Sequence, residues 1–150
     1  MSRDPSKLEA FVLADDLVVE LYRLTRGFPA EERYGLQAQV RRAAVSVAAN
    51  LVEGCSRRST REYLHFVDIA LGSASEVRYL LRLAGRLGFI DDEAVRQLGH
   101  GYGRVVRALQ GVLTALTNPK PEARSPRPRR SWNVEAHGSL RVRRGASRPG

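Results

Sequence analysis

Apolar residues recur at helical spacing through the first 117 positions of the chain, and no segment of weight shows the period-two alternation of a strand. The pattern is richest over 34–61. At about 100° per residue, Leu36, Val40, Ala43, Ala44, Val47 and Leu51 fall on one stripe. Gln39, Arg42, Ser46, Asn50 and Glu53 fall on a second, polar stripe, and Val45, Ala48 and Val52 make a third patch away from the first. A surface helix needs a single apolar stripe. This segment is therefore expected to have partners on more than one side.

The flanking segments follow the same period. A first helix is expected from Asp4-Pro5-Ser6, where Ser6 and Glu9 have capping-box spacing, to about Arg26, stopped by Gly27-Phe28-Pro29. Leu8, Phe11, Val12, Val18, Val19 and Tyr22 share one face, interrupted by Asp15, while Leu13, Leu17, Leu21 and Leu24 lie roughly opposite. Two apolar faces predict burial on both sides, the second against another subunit. Leu13, Leu17, Leu21, Leu24, Val45 and Val52 are accordingly the candidate oligomer interface.

The second helix follows the turn FPAEER and ends near Gly54. Ser59 and Glu62 mark a new capping box, opening a third helix from Thr60 to Leu87 whose core face runs Tyr63, Phe66, Val67, Ala70, Ala74, Val77, Leu81, Ala84. Gly72 within it predicts close approach of another backbone. Gly88 is a C-cap, and Asp91-Asp92-Glu93 suits the start of a fourth helix. There Ala94, Leu98, Gly101, Val105, Leu109, Val112 and Leu116 form an apolar arc opposite Arg96, His100, Arg104 and Arg107, and Asn118-Pro119 ends it. Four helices joined by short turns predict an all-α protein, an antiparallel up-down-up-down four-helix bundle over 1–117. The remainder, 118–150, is rich in Pro, Gly, Ser and Arg without periodicity and reads as a disordered basic C-terminal tail.

Charge adds a functional direction. The net charge is +9. Nine Lys or Arg against two acids lie in 118–150, so most of the excess belongs to the tail. Within the bundle, Arg41-Arg42, the turn cluster Arg57, Arg58 and Arg61, and the Arg96, Arg104, Arg107 face are the candidate nucleic-acid contacts. The turn cluster leads, because it crowds cations with little acid nearby. The second-helix residues Gln39, Ser46, Asn50 and Glu53, with Glu76 of the third, are expected to form a polar network locking the two helices together, since buried polar groups require partners.

Catalytic and metal chemistry find little support. Glu62 and His65 give half of a di-iron Glu-x-x-His inventory, with no second pair, so neither a metal nor another cofactor is expected. The three His are isolated, and no Walker, Rossmann or zinc pattern is present. The single cysteine, Cys55, excludes an internal disulfide; a reactive thiol activated by Arg57 and Arg58 is the minor alternative to a small residue at a helix end. The N-terminus lacks a signal-peptide core and no apolar run reaches ~18 residues, so a cytoplasmic protein without membrane contact is expected.

The order FP-x-E-x-x-YGL-x-x-QVRRAAVSVAANLVEG, then R-x-S-x-x-EYLHFVDIALGSASE, then LAGRLGFI resembles a bacterial four-helix-bundle family. That family includes proteins encoded within intervening sequences of large-subunit ribosomal RNA genes and the accessory variability proteins of diversity-generating retroelements. The resemblance spans about Leu8 to Leu116. Where the family often carries isoleucine-proline-serine-asparagine-isoleucine-alanine-glutamate-glycine, this chain has Val47 to Gly54 without the proline, which predicts a straighter second helix. The resemblance implies a homopentamer and, in the retroelement branch, binding of RNA and a reverse transcriptase. The combined expectation is a non-enzymatic, homo-oligomeric nucleic-acid-binding accessory protein. Its rival is a structural scaffold or protein-interaction module whose charge serves solubility.

Overall fold

A computed structural model describes residues 3–118. Four helices account for most of them: α1, Glu9–Thr25; α2, Leu36–Cys55; α3, Thr60–Arg86; and α4, Asp92–Thr117. Single 3-10 turns at Pro5–Lys7 and Ala30–Glu32 precede α1 and α2. Each helix packs on its chain neighbours, and α4 closes the ring against α1, giving the antiparallel up-down-up-down bundle. The bundle ends where the sequence pattern places its end, at Thr117. From 119 onward the expected tail lies outside the described residues.

Local chemistry explains the boundaries. Ser59 accepts from the Glu62 backbone N–H at 3.2 Å while the Glu62 carboxylate accepts from the Ser59 backbone N–H at 3.4 Å and from its hydroxyl at 2.7 Å, a complete capping box. Asp91 caps α4 by accepting from the Ala94 N–H at 2.7 Å, and Gly88, at φ +75°, supplies the left-handed residue after α3. The start of α1 differs from expectation. Asp4 accepts both the Ser6 N–H, at 3.0 Å, and the Ser6 hydroxyl, at 2.7 Å, so Ser6 closes a separate 3-10 turn and α1 begins at Glu9. α2 starts where the Glu32 carboxylate accepts from the Leu36 N–H at 2.8 Å, and it continues without a break to Cys55, as the missing proline predicts.

The core is a column of branched side chains. Leu21, Val40, Val47, Leu51, Val67, Val77, Leu81, Val105 and Leu109 are fully buried, as is Tyr102, each such aliphatic side chain stabilising the fold by roughly 1.5–3 kcal/mol. Here the α1 face expected to meet another subunit turns inward, while Leu8, Phe11 and Val18 of the other face still pack partly against the core. Ala10, Ala14, Leu17, Leu21 and Thr25 point into the chain's own core, and Leu13 and Leu24 pack at its edge. Leu17 and Leu21 are therefore bundle residues, not an exposed oligomer interface. Val12, Val19 and Tyr22 face outward instead, as do Val45 and Val52 of α2, and Val45 lies by Val19 and Tyr22. The physical reason is the acid on the other face. Turning Val12 and Val19 inward would bury Asp15 with them, at the cost of an unpaired carboxylate.

Gly72 also differs from expectation, since a Cβ there would meet nothing within 4 Å. The close helix approaches lie at Gly54, Gly85 and Gly101. A Cβ on Gly54 would sit 2.9 Å from the Phe66 Cβ, and one on Gly101 would sit 2.6 Å from the Leu17 Cδ2.

Candidate nucleic-acid interface

Arginines four residues apart on a helix share a side. On α3 this aligns Arg78 and Arg82, and on α4 the same face carries Arg96, His100 and Arg107 across a shallow groove of about 270 Å³. Gly99 and Gly103 form part of its floor. Gly103 is buried, and a Cβ there would come within 3.5 Å of the Arg107 Nη1 and 3.9 Å of the Arg78 Cζ. Both are ordinary van der Waals distances, and they place guanidinium groups from two helices over the same point of the floor.

No acidic residue lines the groove. Arg96 is partly compensated by an ion pair with Glu93; Arg96 and then Gln97 hold that carboxyl below the ordinary glutamate range. Among the described residues Arg78, Arg82 and Arg107 form no ion pair. Arg104, expected on this face, turns toward α1 and lies 3.7 Å from Glu9.

The α2–α3 turn, leading candidate from sequence, is less available. Arg57 is paired with Glu53, its guanidinium lies 4.9 Å over the Phe66 ring, and its Nε is buried without a partner. Arg58 and Arg61 remain exposed. Arg3, which sequence reasoning left out, joins them. Its backbone N–H donates to the Cys55 carbonyl at 3.1 Å, its guanidinium donates to Thr60 Oγ1 at 3.2 Å, and it lies 4.3 Å from the Tyr63 ring. Cys55 beneath this strap is buried, and burial pushes its thiol up against the smaller opposing influence of Arg3, so the activated thiolate is not what the fold provides. From Arg61 to Arg78, α3 runs about 25 Å, which separates this corner from the groove.

The remaining candidates divide between structure and surface. Arg41 donates to Thr25 Oγ1 at 2.8 Å and to the Tyr22 carbonyl at 3.2 Å, so it braces α1 against α2, whereas Arg42 is exposed. Four of the five network residues tie α2 to α3 or to one another. Ser46 and Ser73 share a hydrogen bond of 2.9 Å, Asn50 donates to the Ser46 carbonyl and hydroxyl at 2.8 and 3.0 Å, and Gln39 donates to Glu76 at 3.5 Å. Glu53 stands apart, held by Arg57. Glu62 is committed to its cap, and among the described residues no group of three His, Cys, Asp or Glu is placed to hold a metal ion. Nor, among them, is any helix long and apolar enough to cross a membrane.

Sequence reasoning missed Arg78 and Arg82. Their four-residue spacing was visible, but their convergence with Arg96 and Arg107 depends on the α3–α4 pairing.

The fold and sequence have known counterparts. A family model described as 23S rRNA-intervening sequence protein matches residues 6–111. A solved structure, described as a protein with unknown function from the S23 ribosomal protein family of Bacteroides thetaiotaomicron, is similar at a TM-score of 0.65 and 21% identity. The match covers 70% of this chain and 95% of that one, and it speaks for the fold. Among curated proteins none matches.

Proposed function

The chain belongs to the 23S rRNA-intervening sequence protein family, and from that premise we propose a non-enzymatic, homo-oligomeric accessory protein that binds nucleic acid through its phosphates. The observation that carries this reading is the α3–α4 groove, where four arginines from two helices line a surface without a carboxylate. Guanidinium groups hold phosphate oxygens in bidentate fashion, and contacts of this kind position a strand without reading its sequence. Arg78 and Arg82, four residues apart on α3 and about 6 Å along its axis, match the step between two phosphates of an extended strand. The outward apolar positions Val12, Val19, Val45 and Val52 of α1 and α2 support self-association. A pentamer, and service to a retroelement reverse transcriptase, are the finer forms of this proposal and come from the sequence resemblance.

The test is a salt titration of single-stranded RNA binding, followed by fluorescence anisotropy. Affinity should fall steeply with salt, and replacing Arg78, Arg82 and Arg107 together by Ala should weaken binding and flatten the log–log slope by roughly 2, at ~0.7 per lost contact on a single strand. Arg58→Ala with Arg61→Ala measures the corner's share. Absent or salt-independent binding would overturn the proposal. It would favour instead a scaffold that uses the same apolar face, seen as a protein partner retained through nuclease and high salt.

A further inference from the structure

A second surface differs from the groove in chemistry. Where α1 gives way to α2, a cleft of about 900 Å³ is walled by Arg26, Arg33, Arg41 and Arg42 together with the rings of Tyr22 and Tyr34. Its size falls within the range of small-ligand clefts. Part of it is built in advance. The Arg41 guanidinium is fixed by the Thr25 hydroxyl and the Tyr22 carbonyl and lies 4.5 Å from the Tyr22 ring centroid, while Gln37 donates to the Thr25 carbonyl at 2.7 Å. Arg41 therefore occupies one face of Tyr22, leaving Tyr34 as the available platform. That ring is 89% exposed, with the Arg33 guanidinium 6.0 Å from its centroid. The nearest acid in sequence to this ring, Glu32, is engaged by the Leu36 N–H at the start of α2 and does not line the cleft.

We infer that this cleft takes an unpaired base of a single-stranded nucleic acid, stacked on Tyr34, with the flanking phosphates held by Arg26, Arg33 and Arg42. The inference rests on the nucleic-acid reading above and adds a base-dependent contact on a tyrosine ring, whereas no Phe, Tyr or Trp lines the groove. Single strands are singled out because only there are the flat faces of the bases free; in a duplex each is covered by its neighbours. Stacking on an aromatic ring tolerates any base, so the cleft supplies strand selectivity without sequence selectivity.

The experiment compares two probes with the full chain: a 12-nucleotide oligouridylate and an abasic ribose-phosphate strand of equal length. Tyr34→Ala should weaken oligouridylate binding roughly five- to 150-fold, the span of ~1–3 kcal/mol per stacked base, and leave abasic affinity unchanged, while Tyr34→Phe behaves as wild type. Ultraviolet cross-linking should mark the tryptic peptide 34–41, in which Tyr34 is the single aromatic residue. Tyr79→Ala is the control, because that ring lies by Arg82 and Arg86 in a separate, smaller depression. Circular dichroism and light scattering confirm that fold and assembly are retained. Equal loss on both probes, no loss on either, or base dependence that follows Tyr79 would overturn the inference while leaving the groove intact. Failure of the wild-type protein to bind either probe would overturn both proposals.

Discussion

Two glycines show how a single hydrogen atom is read differently by packing and by helix propensity. Glycine inside a helix is disfavoured relative to alanine by about 1 kcal/mol. At Gly72 nothing opposes that gain, because the space over its Cα is open to 4 Å. Gly72→Ala should raise the stability of the isolated bundle by up to about 1 kcal/mol. At Gly54 the same methyl would meet the Phe66 Cβ at 2.9 Å and the Tyr63 carbonyl oxygen at 3.4 Å, near the base of the turn where little can move aside. Overpacking of this kind costs about 1–3 kcal/mol, enough to exceed the helix gain, so Gly54→Ala should destabilise. Urea titrations of the two variants, followed by circular dichroism, should shift the midpoint in opposite directions. A Gly54→Ala midpoint above wild type would mean that α2 and α3 are not held together at this point. Sequence placed the close approach at Gly72 because a mid-helix glycine asks for a reason; the helix-terminal Gly54 concealed the tighter contact behind an ordinary C-terminal role.

Helix starts were legible wherever one side chain could act alone. Ser59 with Glu62 forms the expected cap, and Asp91, expected at the start of α4 for its charge, also caps that helix. The Ser6 and Glu9 spacing misled because Asp4 lies two residues upstream and takes the Ser6 donors first. The cap at Ser59 carries a measurable consequence. Ser59→Ala removes an N-cap oxygen and should cost about 1 kcal/mol in chemical denaturation. Its partner Glu62 is held below the ordinary glutamate value of 4.5, first by the Ser59 hydroxyl and then by the Ser59 N–H. A depressed folded-state pKa means that the contribution is complete above the unfolded value and is lost as pH falls through the folded one. The stability gap between wild type and Glu62→Ala should hold steady above about pH 6 and close below pH 4.5. A gap that persists unchanged into acid would show that the carboxylate is not the group at work.

The four-helix order was legible because hydrophobic period and turn chemistry agree along the chain, whereas surface function depends on which helices meet. The groove joins Arg78 to Arg107 across an α3–α4 hairpin, and the orientation of α1 depends on what each face would take with it into the core. Small Ala10 and Ala14 lie on the buried side with Leu17 and Leu21, and the acids lie outside. That orientation separates folding from assembly. Leu21→Asp places an unpaired charge at a fully buried position and should unfold the chain, with a loss of 3 kcal/mol or more on the order of other buried-charge defects. Val19→Asp and Val45→Asp add charge at positions 49% and 42% exposed, where a substitution changes the stability of a subunit by only about 0.5 kcal/mol. If the outward α1–α2 face joins subunits, each of these two variants should keep its helical spectrum and lose mass in light scattering, with the double variant closest to a monomer. Retained mass would remove the face from the interface, and a monomeric wild type would remove self-association itself. The α3–α4 groove proposed to hold nucleic acid, on the opposite helix pair, should bind RNA in either case, with assembly changing its avidity through the number of grooves joined rather than through any contact within one.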